Sequence, residues 1–236
     1  MKDNFVKYEI NDNIIGKGSI GSVYTTTDEN LVVKHSLVTL TNHHSKHLRK
    51  KTIILPNLIE VSIMKSFSHP NLNTCLSIKM NNEHLFIIQE KAICDLHYFF
   101  NKREDKDIKK TSYNRILRWM FEICSGLRCL HSLDFIHGDI KCKNILLYYD
   151  DTVKLTDFNL SRKQIRENQE YIKSVSTATH KPFEAYFSWS KSLDIWCLGI
   201  TFYEMVYYKS PIDGKSKTPI NNVIEFIKIL GNDDKD

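Results

Sequence analysis

Hydrophobic and polar positions alternate through the first third of the chain, and the spacing turns helical from Thr111 onward. Residues 8–15 and 22–27 are rich in β-branched and aromatic side chains and predict two strands around a glycine loop. Asp28-Glu29-Asn30 predicts a turn into a short strand over 31–34, followed by a polar segment, 35–51. Pro56 suits the first turn of a helix in which Leu58, Ile59, Ile63 and Met64 recur at helical spacing; His69-Pro70-Asn71 stops it. Two more strands are predicted near 73–79 and 84–90.

In the helical part, Thr111 or Ser112 can cap a helix whose apolar face is Ile116, Leu117, Met120, Ile123, Cys124, Leu127 and Leu130. Segments 145–149 and 152–155 flank Asp150-Asp151, a hairpin signal. Residues 161–179 are polar and aperiodic and read as a long, mobile loop; helices resume near 193–208 and 221–230. There is no internal repeat and no low-complexity segment. The pattern predicts an α+β chain. A strand-rich small lobe covers about 1–90, a join lies near 90–96, and a helical large lobe covers about 97–236.

Composition narrows the setting. The 236 residues suffice for one large domain or two small lobes sharing a cleft. At 42% hydrophobic and 26% charged, the chain reads as a soluble globular protein. Its net charge of +5 is mildly basic and suits acidic partners, without singling out a polyanion. Six cysteines are scattered with no C-x-x-C pair and are expected to be reduced, mostly buried thiols of an intracellular protein. The N-terminus lacks an apolar core, so no signal peptide is expected. The longest apolar stretch, 195–208, contains Glu204 and is too short and too polar to span a membrane, which leaves a buried helix.

The candidate chemistry lies in His137-Gly138-Asp139-Ile140-Lys141-Cys142-Lys143-Asn144 and in Lys154-Leu155-Thr156-Asp157-Phe158. These segments bring a carboxylate, an amine, an amide and a second carboxylate to the ends of a short hairpin. Moving a phosphoryl group from Mg-ATP to a hydroxyl needs that set, because position and charge lower its barrier. Asp139 can orient the hydroxyl and accept its proton, Lys141 can hold the migrating phosphate, and Asn144 and Asp157 can hold magnesium (Mg2+). Upstream, Ile15-Gly16-Lys17-Gly18-Ser19-Ile20-Gly21-Ser22-Val23 is a G-x-G-x-x-G-x-V loop. Its backbone N–H groups can approach phosphate; a plain hairpin turn is the other reading of the same glycines. Lys34 ends the next strand, where a helix carrying Glu60 can hold it.

In this order the motifs resemble a eukaryotic-type protein kinase, from about Tyr8 to Leu230. The resemblance implies a bilobal protein-kinase fold in a single domain, 1–236, with the large lobe lacking its last helices. It implies that Gly16, Gly18 and Gly21 cover the phosphates of ATP, that Lys34 pairs with Glu60, and that Asp139 is the base. By it, Asn144 and Asp157 bind Mg2+, and Lys141 marks the serine/threonine form. Pro182-Phe183-Glu184 stands where the family has A-P-E, and Asp194 to Gly199 matches its D-x-W-x-x-G helix. The segment from Phe86 to Leu96 resembles the hinge of mitogen-activated and cyclin-dependent kinases. There Gln89 would be the gatekeeper, the backbones of Glu90 and Ala92 would bond adenine, and Asp95 would reach the ribose. Thr177 sits where that group places a threonine bonded to the catalytic aspartate. Met64, His137 and Phe158 match a hydrophobic spine, which makes His137 a core residue.

The chain departs from the family in three places. H-R-D is His137-Gly138-Asp139, which removes the arginine that receives an activation-loop phosphate, so activity is expected not to need loop phosphorylation at Tyr171, Ser174 or Ser176. Arg162, nearby in sequence, does not make that receptor alone. D-F-G is Asp157-Phe158-Asn159; asparagine tolerates positive φ next best to glycine, so a slower or stiffer loop is expected. The sequence ends at Asp236, where the family continues, and Glu184 loses its usual arginine. This predicts either a shortened kinase, as a large DNA virus would encode, or a truncated chain.

His43, His44 and His47, the basic run Lys46, Arg49, Lys50 and Lys51, and residues 102–110 read as solvated loops rather than a metal or nucleic-acid site. The leading expectation is a serine/threonine protein kinase using ATP and Mg2+ on a protein substrate, inside the cell and off the membrane. A pseudokinase that binds nucleotide or a partner is the alternative, and a small-molecule phosphotransferase ranks third.

Overall fold

A computed structural model describes residues 9–17, 21–37, 54–81, 84–101, 111–164, 180, 182 and 189–211. The chain divides into two compact units, Met1–Ser68 with Leu72–Lys91 and His69–Asn71 with Ala92–Asp236.

The first unit is a five-stranded antiparallel sheet in the order β1-β2-β3-β5-β4. Its strands are β1 (Ile10–Lys17), β2 (Gly21–Thr26), β3 (Leu31–Leu37), β4 (Ser77–Asn81) and β5 (His84–Glu90), with helix α1 (Ile54–Ser66) between β3 and β4. In β5, Leu85, Ile87 and Gln89 are buried and alternate with less buried neighbours, as a half-buried strand requires. Strand β3 runs three residues beyond its sequence expectation. His35, Ser36 and Leu37 pair with Phe86, Leu85 and His84, so tertiary pairing overrides the polar character of His35 and Ser36. Lys34 lies opposite Ile87, and such a pair shares one sheet face. Glu60 meets Lys34 and Met64 meets Gln89, so α1 covers that face. On the other face His35 stacks on Phe86 with ring centroids 4.7 Å apart. The helix begins two residues before Pro56, which falls in its first turn.

The second unit is built on helices α2 (Leu96–Asn101), α3 (Tyr113–Ser132) and α4 (Lys191–Tyr207). Beside them lie a three-stranded sheet, β6 (Cys94–Asp95), β8 (Ile145–Leu147) and β9 (Val153–Leu155), and a strand pair, β7 (Phe135–Ile136) with β10 (Arg162–Lys163). Helix α2 has no sequence signal because six residues are too few to show a period. Asp95 starts it by accepting from the Tyr98 N–H at 2.7 Å, and Leu96 and Phe99 anchor it. Helix α3 is capped by Ser112, whose hydroxyl accepts from the Arg115 N–H. Its buried stripe is Ile116, Trp119, Ile123, Leu127 and Leu130, rotated from the expected one. Leu117 and Cys124 are exposed and Met120 is half-buried, because Trp119 takes the central place, edge-on to Phe99.

Helix α4 buries much of its apolar run, Leu193, Cys197, Leu198, Ile200, Tyr203 and Met205, but leaves Ile195 56% exposed. No helix among the described residues is long and apolar enough to cross a membrane. The expectation of mostly buried cysteines needs correction. All six are free thiols, but only Cys142 and Cys197 are buried; Cys75, Cys94 and Cys129 are half-buried and Cys124 is exposed. Apolar neighbours in sequence do not set the direction of one side chain on an amphipathic helix. Burial pushes the Cys142 and Cys197 thiols far up, so neither is a thiolate at neutral pH. The helix expected near 221–230 and the loop beyond Gln164 lie outside the described residues.

The β8–β9 hairpin is tied to α3 by Asp151. Its carboxylate accepts from the Arg115 Nε at 3.0 Å and from Arg118, and its carbonyl accepts from the Trp119 indole at 3.0 Å. Burial opposes ionisation of Asp151, but the two arginines outweigh it and hold the carboxyl below its ordinary value. A depressed pKa makes this contribution complete above the ordinary carboxylate range and lost as pH falls below it. Asp151 also has φ of 66°, which asparagine tolerates better than alanine. Asp151→Ala should therefore cost about 1–3 kcal/mol and Asp151→Asn less, read by urea unfolding at pH 7, with the gap to wild type shrinking near pH 3.

Candidate active site

In the first unit, β1 and β2 form the hairpin of the glycine loop, with Gly16 opposite Val23 and Lys17 opposite Ser22. Gly18, Ser19 and Ile20, at the tip, lie outside the described residues. Gly21 is required by packing: a Cβ there would lie 2.3 Å from the His35 carbonyl oxygen. At Gly16 a Cβ would meet only Val23, at 3.7 Å, so strand packing does not demand glycine at that position. Ile15 is about half exposed beside them.

Lys34 extends from the middle of the sheet to Glu60, its Nζ 2.6 and 2.9 Å from the two carboxylate oxygens. The Glu60 side chain is 1% exposed and that of Lys34 15%, so the pair is shielded from water and its charges act strongly. Gln89, expected as gatekeeper, is buried and donates to the Met64 sulfur. Glu90 ends β5 on the surface, and the Lys91 N–H donates to Asn30.

In the second unit, Ala92 is half-buried, and Asp95 uses one carboxylate oxygen to cap α2. The 3-10 turn Cys142–Asn144 folds the catalytic-loop candidates onto one another. Asp139 Oδ2 accepts from Lys141 Nζ at 2.6 Å and from Asn144 Nδ2 at 2.9 Å; the same amide nitrogen donates to the Asp139 carbonyl at 2.8 Å. Two acceptors thereby fix the amide of Asn144, and its Oδ1 is the atom left for a cation. The Thr156 N–H donates to the Asn144 carbonyl at 3.0 Å and brings Asp157 alongside. Asp157 has φ of 63°, a costly conformation for a non-glycine residue and common where a side chain is aimed for function.

That strain corrects the expectation for Asn159. Positive φ falls at Asp157, and Asn159 lies in a right-handed 3-10 turn, Phe158–Leu160. The asparagine acts through its side chain: its amide donates to Asp157 Oδ1, while its own Oδ1 is buried with no partner among the described residues.

His137 is a core residue here. Its Nδ1 accepts from the Asp139 N–H at 3.3 Å, and Nε2 lies 3.0 Å from the Thr156 carbonyl, which assigns the proton to Nε2. The ring meets Phe158 edge-on at 5.4 Å. Sequence reasoning placed Asp194 on an anchoring helix and missed its work. Fully buried, it accepts from the backbone N–H groups of His137 and Gly138, each at 2.8 Å, and faces His131 Nε2 at 2.7 Å. Asp194→Ala would strand two buried N–H groups and should cost about 3–5 kcal/mol in chemical denaturation, with Asp194→Asn recovering part. Trp189, which packs on Gly138, carried no sequence signal because only the fold brings it there. Thr177, Phe183, Glu184, Tyr171, Ser174 and Ser176 lie outside the described residues, as do His43, His44, His47 and the basic run beside them.

The chain matches the protein kinase domain family over residues 8–235. It is 27% identical over 227 residues to cyclin-dependent kinase F-3 of Oryza sativa subsp. japonica, covering 93% of this chain and 48% of that protein. It is 29% identical over 178 residues to the serine/threonine-protein kinase ICK of Mus musculus, covering 74% and 27%. To cell division control protein 2 homolog 3 of Trypanosoma brucei brucei it is 28% identical over 236 residues, covering 98% and 72%. The chain thus spans about half or less of the rice and mouse proteins. A sheet with a buried lysine–glutamate pair, a strained aspartate beside an oriented asparagine, and a match over nearly every residue agree: this chain belongs to the protein kinase domain family.

Proposed function

We propose that this chain is an ATP-dependent serine/threonine protein kinase, and that the Asp139–Lys141–Asn144 cluster carries its chemistry. The supporting observation is the short, part-buried contact of Lys141 and Asn144 with one oxygen of Asp139. By this reading, that contact fixes the carboxylate that meets a substrate hydroxyl. The carboxylate orients the hydroxyl and takes its proton as the oxygen bonds to the γ-phosphorus; the bond from that phosphorus to the bridging oxygen breaks and ADP leaves. Lys141 neutralises charge on the transferring group. The first unit supplies the phosphate grip, through Lys34 and the glycine loop from Ile15 to Val23, and Glu60 holds the lysine in place. The backbones of Glu90 and Ala92 are the adenine contacts of this reading, and Asp95 that of the ribose.

Asn144 Oδ1 and the Asp157 carboxylate are hard oxygen donors on segments joined by the Thr156–Asn144 backbone hydrogen bond, a donor set that fits magnesium. Bound there, magnesium supplies positive charge that offsets the charge of the phosphates. Asn159 holds Asp157 through its amide. The reading as a binding module without turnover is weaker, because lysine, base and metal ligands are all present. Six free thiols support an intracellular setting.

The test is transfer of label from γ-labelled ATP, with Mg2+, to a generic basic and a generic acidic protein, followed by phosphoamino-acid analysis. Phosphoserine or phosphothreonine is expected. A folded protein that binds nucleotide but labels nothing would replace the kinase reading with the binding module.

A further inference from the structure

Gly138 has φ of +82° and stands immediately before Asp139. Its N–H is held by Asp194 at 2.8 Å. A Cβ on it would lie 2.5 Å from Cζ3 and 2.8 Å from Cη2 of Trp189, and 3.1 Å from the Leu160 carbonyl. The indole edge therefore rests directly on the Gly138 backbone, where no side chain fits. Trp189 is 8% exposed and lies just before α4. The guanidinium of Arg162, in β10, covers its ring at 4.7 Å from the centroid. Strand β10 is itself fixed by pairing Arg162 with Ile136, one residue before His137, and the Ser161 hydroxyl donates to the His137 carbonyl at 3.0 Å. A cation, an indole and a bare backbone thus form a stack against the residue preceding the candidate base.

We propose that Trp189 is a positioning residue for Asp139: wedged on Gly138 and covered by Arg162, its indole holds the backbone turn that aims the carboxylate. The proposal rests on the kinase reading for its effect on turnover, and on the packing alone for its effect on the loop. The stack joins the strand after Asp157-Phe158-Asn159, the chain entering α4 and the catalytic loop through packing that needs no modified residue. Arg162 is engaged there by an aromatic face.

The indole Nε1 is buried with no partner among the described residues, so the ring face and edge carry the effect. This predicts that phenylalanine substitutes in part and alanine does not. The test uses the full chain with wild type, Trp189→Ala and Trp189→Phe, and reads three quantities. These are kcat and KM for ATP, the thermal midpoint, and hydrogen exchange at the amides of His137, Gly138 and Asp139.

Trp189→Ala should lower kcat on the order of 10- to 100-fold with KM for ATP within about twofold, as expected when a reacting group is misaligned. Exchange at Gly138 and Asp139 should accelerate, and Trp189→Phe should recover most of both. Wild-type kcat in Trp189→Ala would overturn the proposal. So would a loss of kcat, ATP binding and thermal midpoint together, equal in the alanine and phenylalanine variants, which marks a general fold contact. If wild type transfers no phosphate, the kinase reading fails by itself and exchange decides. Acceleration confined to residues 137–139 then supports the wedge, and unchanged exchange removes it.

Discussion

Asp139→Asn should lower phosphoryl transfer by about 100- to 10,000-fold while nucleotide affinity stays within about twofold, the range that a positioned general base supplies. The side chain keeps its size, and an amide oxygen can still accept from Asn144 Nδ2 or Lys141 Nζ, now 2.9 and 2.6 Å from Asp139 Oδ2. What disappears is the charge that, by the proposed mechanism, draws the substrate proton. Because the residue is 7% exposed, solvent replaces it poorly. Single-turnover transfer to a protein substrate, beside nucleotide binding by calorimetry, separates the two effects. Wild-type transfer in this variant would remove Asp139 from the mechanism.

Lys34→Met should have two consequences, one chemical and one structural. Loss of the ammonium removes the proposed phosphate contact, for which a drop of about 100-fold or more in turnover is expected. It also takes the cation away from Glu60, whose side chain is 1% exposed, and breaking such a buried pair from one side costs about 3–5 kcal/mol. The double variant Lys34→Met/Glu60→Gln distinguishes the two. Neutralising Glu60 should restore most of the stability and none of the turnover. Recovery of turnover in the double variant would mean that Lys34 acts only by supporting α1.

The kinase fold and the order of its motifs were legible because both rest on local signals. The alternation in β5, the cap at Ser112, the turn at Asp150-Asp151 and the apolar run of α4 each need only neighbouring residues. The family match over 8–235 agrees with the motif order. Short elements escaped notice for the same reason. Strands β6, β7 and β10 have two residues each and exist only through pairing across the chain. The stripe of α3 was misplaced because Trp119, absent from the expected face, is drawn inward by Phe99 and the Asp151 carbonyl.

Sequence alone determined which groups are available: the base candidate Asp139, the amide of Asn144, the carboxylate of Asp157, the amine of Lys34 and glycines where a backbone must come close. Those follow from residue type and spacing, which set chemistry and local geometry. Only the tertiary structure decided how they are held. It buried Asp194 under two backbone N–H groups, turned the Asn144 amide so that its oxygen is left over, placed the strained φ at Asp157 and set Trp189 on Gly138. The Asp194 and Trp189 contacts join residues more than fifty positions apart. Packing and desolvation select them, and neither leaves a periodic trace along the chain.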